Sequence, residues 1–126
     1  MNPALLAAAA LAFATGLMHS VFGERLIFRH LRRGTVVPTH GGDLLRQHQV
    51  RILWASWHVL TLLGWGLAAM LVVLASAPQD VLALSLSRLI AWAMGAGAMT
   101  VLVGTRGRHP GWVAMLLVAA LVELGR

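Results

Sequence analysis

Apolar residues along this chain come in runs rather than in alternation. Four segments stand out, at about residues 2–24, 50–76, 81–104 and 109–124, separated by short polar stretches. A helix needs roughly 20 apolar residues to cross the hydrocarbon of a bilayer. The first three segments meet that length, although Arg88 interrupts the third. The fourth is short, and it spans only if Pro110 and Gly111 form its first turn, a position that proline favours. Spanning strands would need strict alternation, which is absent. The pattern predicts an all-α integral membrane protein, a bundle of four transmembrane helices forming one domain over residues 1–126.

The polar stretches refine this picture. Gly34, Pro38, Gly41 and Gly42 break the chain between the first two helices, so a loop is expected at about residues 32–43. Asp43 is a suitable N-cap, which puts the start of the second helix near Leu44. Arg25 to Arg33 should extend the first helix by an amphipathic turn or two, with Leu26, Ile27 and Leu31 against headgroups. Small residues offer packing ridges: Ala12, Gly16, Ser20 and Gly23 on the first helix, Gly64 and Ala68 on the second, Ala93 and Gly97 on the third.

Composition agrees with a membrane-embedded chain. Of 126 residues, 59% are apolar and 11% are charged, about half the usual charged share of a soluble domain. The net charge of +6 comes entirely from arginine. Eight of the ten Arg lie within residues 25–51 or 106–108, in or at the edge of the two larger polar stretches. This bias places both loops in the cytoplasm and both termini in the periplasm of a bacterial inner membrane. The arginines then lie against anionic headgroups. Nucleic acid is not expected as a partner, since no aromatic residue lies between Arg29 and Arg51 to stack on a base. A cleaved signal peptide is not expected either, because no positive side chain precedes the first apolar run.

Several chemistries are excluded by residue type. The chain has no Cys, no Lys and no Tyr. Thiolate ligands, disulfides and lysine Schiff bases are therefore impossible. Its four acids include no close pair. Ser20 beside His19 is not a nucleophile–base pair, because helix neighbours point about 100° apart.

Polar residues inside an apolar helix are costly and so informative. Counting depth at 1.5 Å per residue puts His19 roughly 7–8 Å and His58 roughly 10 Å inside the cytoplasmic boundary. Glu24, Arg51, Trp54 and Trp57 lie near that level, and His109 and Trp112 enter the fourth helix from the same side. Arg51, Trp54, His58, Thr61 and Trp65 recur at three or four residues and form a stripe. Glu24 is expected to pair with Arg51 or to approach the start of the fourth helix. On the opposite side, Arg88 and Glu123 are expected to form an ion pair.

Two imidazoles on facing helices could ligate haem b axially, giving His19 and His58 as cofactor ligands. A divalent metal would recruit His19, Glu24, His58 and His109. Proton-coupled transport of a small solute could use the same His and Glu, though no polar path leads on to the periplasmic face. A non-catalytic membrane subunit or assembly factor needs only that the layer, with Arg51, Trp54, Thr61 and Trp112, fixes assembly. That last reading is ranked first. A homo-oligomer or a membrane partner protein would go with it.

Three motifs run in order along the chain: His19-Ser20-Val21-Phe22-Gly23-Glu24-Arg25, then Trp57-His58 with Thr61 and Trp65, then Arg106-Gly107-Arg108-His109-Pro110-Gly111-Trp112. On these the sequence resembles a group of small, uncharacterised four-helix bacterial membrane proteins. The resemblance implies the four-helix fold and brings no activity with it. Small multidrug exporters resemble the chain only in size, since residues 7–16 lack the central glutamate on which they depend.

Overall fold

A computed structural model describes residues 1–126. The protein is all-helical, with α1 (Pro3–Leu26), a short 3-10 turn (Phe28–Leu31), α2 (Gln47–Ser76), α3 (Val81–Gly104) and α4 (Gly111–Leu124). Helices α1, α2 and α3, with 24, 30 and 24 residues, are long and apolar enough to cross a membrane. Helix α4 has 14 residues, a rise of roughly 21 Å.

The ends of these helices follow local chemistry. Asn2 opens α1: its side-chain oxygen accepts from the backbone N–H of Ala4 and Leu5 at 3.1 and 3.3 Å. Asp80 opens α3 by accepting from Ala83 N at 2.8 Å. Helix α3 ends in a Schellman motif, in which Gly107 N donates to Leu102 O and Arg106 N to Val103 O. Arg106 and Gly107 both take positive φ there, the geometry that exposes the last carbonyls to these donors. Pro110 precedes α4 with φ −70°, and its carbonyl accepts from Val113 N at 3.0 Å.

The second helix starts later than the turn signals suggest. It begins at Gln47, three residues after Leu44, and Asp43 does not cap it. Residues 41–45 instead close a tight turn, with Leu45 N donating to Gly41 O and Gly42 at φ 63°. Gln49 supplies the cap, accepting from Arg46 N at 2.8 Å. The extension of α1 is likewise a 3-10 turn after Leu26 rather than more α-helix.

The chain forms two compact units, Met1–Thr15 with Gly64–Arg126, and Gly16–Leu63. The first has an apolar core of small and aliphatic residues. Leu5, Ala8, Ala9 and Ala12 of α1 meet Ala68, Leu71, Leu74 and Ala75 of α2, with Ile90 and Met94 of α3 and Val118 and Val122 of α4. Alanines let these backbones approach closely, which is how helices associate without a hydrophobic drive. Asn2 ties the ends of this unit together, donating from its backbone to Ala75 O at 2.7 Å and from its side chain to Gly125 O at 2.6 Å. The second unit holds most of the residues singled out above.

Candidate functional site

Within Gly16–Leu63, one face of α1 carries Gly16, Ser20 and Glu24 at spacings of four. The facing stripe of α2 carries Trp54, His58 and Thr61. Residues four apart stack along one helix face, so the two stripes meet over two turns.

Glu24 is the hub. Its Oε1 accepts from Trp54 Nε1 at 2.6 Å and lies 3.0 Å from His58 Nε2. Its Oε2 is bound by the Arg32 guanidinium. Arg32 reaches the carboxylate because the chain folds back after α1 through the 3-10 turn, and Arg32 directly follows that turn. The carboxylate thus gathers three donors, two from α2 and one from the turn after α1.

His58 continues the network. Its Nδ1 lies 2.8 Å from Ser20 Oγ, which in turn lies 2.9 Å from Thr61 Oγ1. Thr61 is buried and donates to Gly16 O at 3.3 Å. An ionised Glu24 fixes the proton of a neutral His58 on Nε2, so that Nδ1 accepts from Ser20. If His58 is protonated at both nitrogens, Nδ1 donates to Ser20, Ser20 to Thr61, and Thr61 to Gly16 O. With a neutral His58 the Ser20 hydroxyl proton is spent on Nδ1, so Thr61 donates to Ser20 in place of Gly16 O; all three links form together only when Nδ1 donates.

A second knot adjoins this one. Trp57 donates from Nε1 to His19 O at 3.0 Å. Its ring stacks on the His19 imidazole, centroids 4.2 Å apart and planes within 7°, and meets Phe28 edge-on at 5.6 Å. Gly23 makes this possible, since a Cβ there would stand 2.1 Å from Trp57 Nε1.

The remaining expected site residues are placed differently. Arg51 is exposed and does not pair with Glu24; Arg32 takes that place. His109 is exposed and acts locally, its Nδ1 accepting from Gly111 N at 3.0 Å at the start of α4. Trp112 donates to Gly107 O at 3.3 Å. Glu123 pairs with Arg126, while Arg88 is exposed and makes no ion pair. Trp65, on the α2 stripe, donates to Phe13 O at 3.1 Å within the first unit.

His19 and His58 are both held by other contacts. No group of three or more His, Cys, Asp or Glu is arranged to hold a metal ion. Both nitrogens of His58 are engaged by Glu24 and Ser20, and the His19 ring lies flat against Trp57. Axial ligation would have to break both arrangements. Ser20, His58 and Glu24 do stand in the order of nucleophile, base and carboxylate. But Ser20 lies inside α1, where backbone N–H groups are committed to the helix, so no backbone donors are set for an oxyanion.

Three participants were not on the expected list: Ser20, Arg32 and Phe28. Ser20 could have been found from its i, i+4 spacing to Glu24, opposite a His–Thr pair. Nothing in the sequence marks Arg32 over its neighbours. No protein family, characterised protein or solved structure matches the chain.

Proposed function

We propose that this chain is a non-catalytic, multi-pass membrane protein, a membrane subunit or assembly factor, whose Glu24-centred layer is an internal clasp joining α1 to α2. One observation carries this reading. The donors and acceptors of Glu24, Trp54, His58, Ser20 and Thr61 are used on one another, which suits a fastening better than a receptor for a ligand. Buried polar groups that satisfy each other specify one arrangement of helices.

The proposed setting is a bacterial inner membrane, with both Arg-rich loops cytoplasmic and both termini periplasmic, on the charge bias alone. Helix α4 would cross as the fourth span with Pro110 leading into its first turn, the bilayer thinning to meet it. The motifs behind the resemblance noted above include His19, Glu24, His58 and Thr61, all within or beside the clasp.

Two measurements test this. Reporter fusions at Gly41 and Gln79 should give opposite results, Gly41 cytoplasmic; a periplasmic Gly41 would refute the topology. Protein purified in mild detergent should show no Soret band and no stoichiometric metal, and His58→Gln should keep assembly and most stability, because Gln can still hydrogen-bond. A ligand that co-purifies with the native chain and is lost from His58→Gln would replace the clasp with a binding site.

A further inference from the structure

The segment between α1 and α2 is not a slack linker. Thr39 N and His40 N both donate to Leu31 O at 3.0 Å, closing residues 31–39 into a loop. Arg33 and His40 staple it through a 2.9 Å side-chain bond, and Pro38 is buried beneath it. A second closed turn follows, fastened by the Gly41–Leu45 bridge. Each loop lifts an aliphatic side chain off the protein: Val36 is 81% exposed and Leu44 is 92% exposed.

A single exposed aliphatic is ordinary. Two of them held out by tethered loops, flanked by cations, are a different case. Residues 25–51 contain six Arg, of which only Arg32 makes an ion pair. Asp43 is the one acid in that stretch, and no cation pairs with it. Arg29, Arg33 and Arg46 are exposed in the same stretch of chain as the two tips. Apolar tips beside uncompensated arginines are the chemistry of an interfacial anchor, in which aliphatics enter the acyl boundary and cations meet phosphate oxygens. Nucleic acid would leave Val36 and Leu44 without a role, since base recognition uses aromatic stacking.

We infer that the two closed loops form an anchor for anionic phospholipid, with Val36 and Leu44 dipping into the bilayer surface and Arg29, Arg33 and Arg46 binding lipid phosphate. The inference rests on the membrane reading above and adds the lipid class and the residues. Because the chain has no cysteine, single-cysteine labels are unambiguous. An environment-sensitive fluorophore is attached at Val36→Cys or Leu44→Cys, and for reference at Leu62→Cys in α2 and Gln79→Cys. The full chain is placed in nanodiscs of phosphatidylcholine, with or without phosphatidylglycerol, and quenched with acrylamide, which is neutral and so is not repelled by anionic lipid.

At low salt, phosphatidylglycerol should lower acrylamide quenching at positions 36 and 44 by about five-fold, the shift that one arginine at an anionic surface provides. The effect should shrink in high salt and in Arg46→Gln, a variant that leaves the Arg33–His40 staple in place. Gln79→Cys should not respond. Equal quenching at 36 and 44 in both lipids, with Leu62→Cys still shielded, overturns the anchor and leaves the membrane reading standing. An acrylamide-accessible Leu62→Cys overturns both. Shielding at 36 and 44 already complete in detergent, or produced by added RNA but not by anionic lipid, overturns the anchor as well.

Discussion

The two units of this protein hold their helices by different means. In Met1–Thr15 with Gly64–Arg126, the core is alanine, leucine, isoleucine, methionine and valine, and the one polar residue buried on α3, Ser87, takes no part in joining helices. In Gly16–Leu63, five polar or aromatic side chains and an arginine bind one another, and few aliphatics are fully buried. Close packing of small residues is forgiving, because many register shifts still bring alanine to alanine. A hydrogen-bonded clasp is not, since a shift of one turn between α1 and α2 separates Glu24 from Trp54 and His58. The contrast assigns adhesion to the first unit and register to the second.

The most damaging change should therefore fall on the hub. Glu24→Leu leaves Arg32, Trp54 and His58 facing an apolar side chain. Each lost bond is worth about 1 kcal/mol in a membrane setting, so the variant should lose about 3 kcal/mol. Unfolding in mild detergent measures this, and hydrogen exchange should rise first within residues 16–63. A loss no larger than that of a surface substitution would end the distinction between the two units.

Gly23→Ala attacks the same unit by crowding. The added Cβ would stand 2.1 Å from Trp57 Nε1, and that ring is held by stacking on His19, by the edge-on contact with Phe28 and by its N–H. Overpacking of this kind costs about 2 kcal/mol. Loss of the Trp57–His19 stacking should appear as a change in near-ultraviolet circular dichroism.

Leu71→Ala is the counterpart in the first unit. Leu71 is fully buried. In lipid the transfer part of its burial energy is small, which leaves mainly the cavity, so the loss should be about 1.5 kcal/mol. A loss well above that of Glu24→Leu would invert the comparison.

The helices were largely legible in the sequence because hydrophobic runs obey the bilayer's length requirement. Expected and observed bounds agree within three residues. The turn before α2 was not legible, because Asp43 is an equally good turn residue, and the Gly41–Leu45 closure that decides between the roles depends on tertiary packing. Counting depth along α1 and α2 brought Glu24, Trp54 and His58 to one level, and they do meet. Depth counting says nothing about rotation, so His19 was grouped with His58 although its ring faces Trp57. It also cannot follow a chain that folds back, which is why Arg51, in regular helix, was chosen over Arg32, which comes after the 3-10 turn.

The smallest expected effect separates two serines. Ser87 is 1% exposed in the first unit, and its hydroxyl has no hydrogen-bond partner. Ser20 sits in the second unit with its hydroxyl between His58 and Thr61. The residue type is the same, but a partnered hydroxyl stabilises while a buried unpartnered one costs free energy. Ser87→Ala should therefore leave stability unchanged or raise it by up to about 1 kcal/mol, helped by alanine's better helix propensity. Ser20→Ala gains the same propensity yet leaves His58 Nδ1 without its hydroxyl, and it should lose about 1 kcal/mol. Both variants are measured by the same detergent unfolding. If the two serines respond alike, the hydroxyl chain from His58 to Thr61 contributes nothing, and the clasp reduces to Glu24 and its three donors.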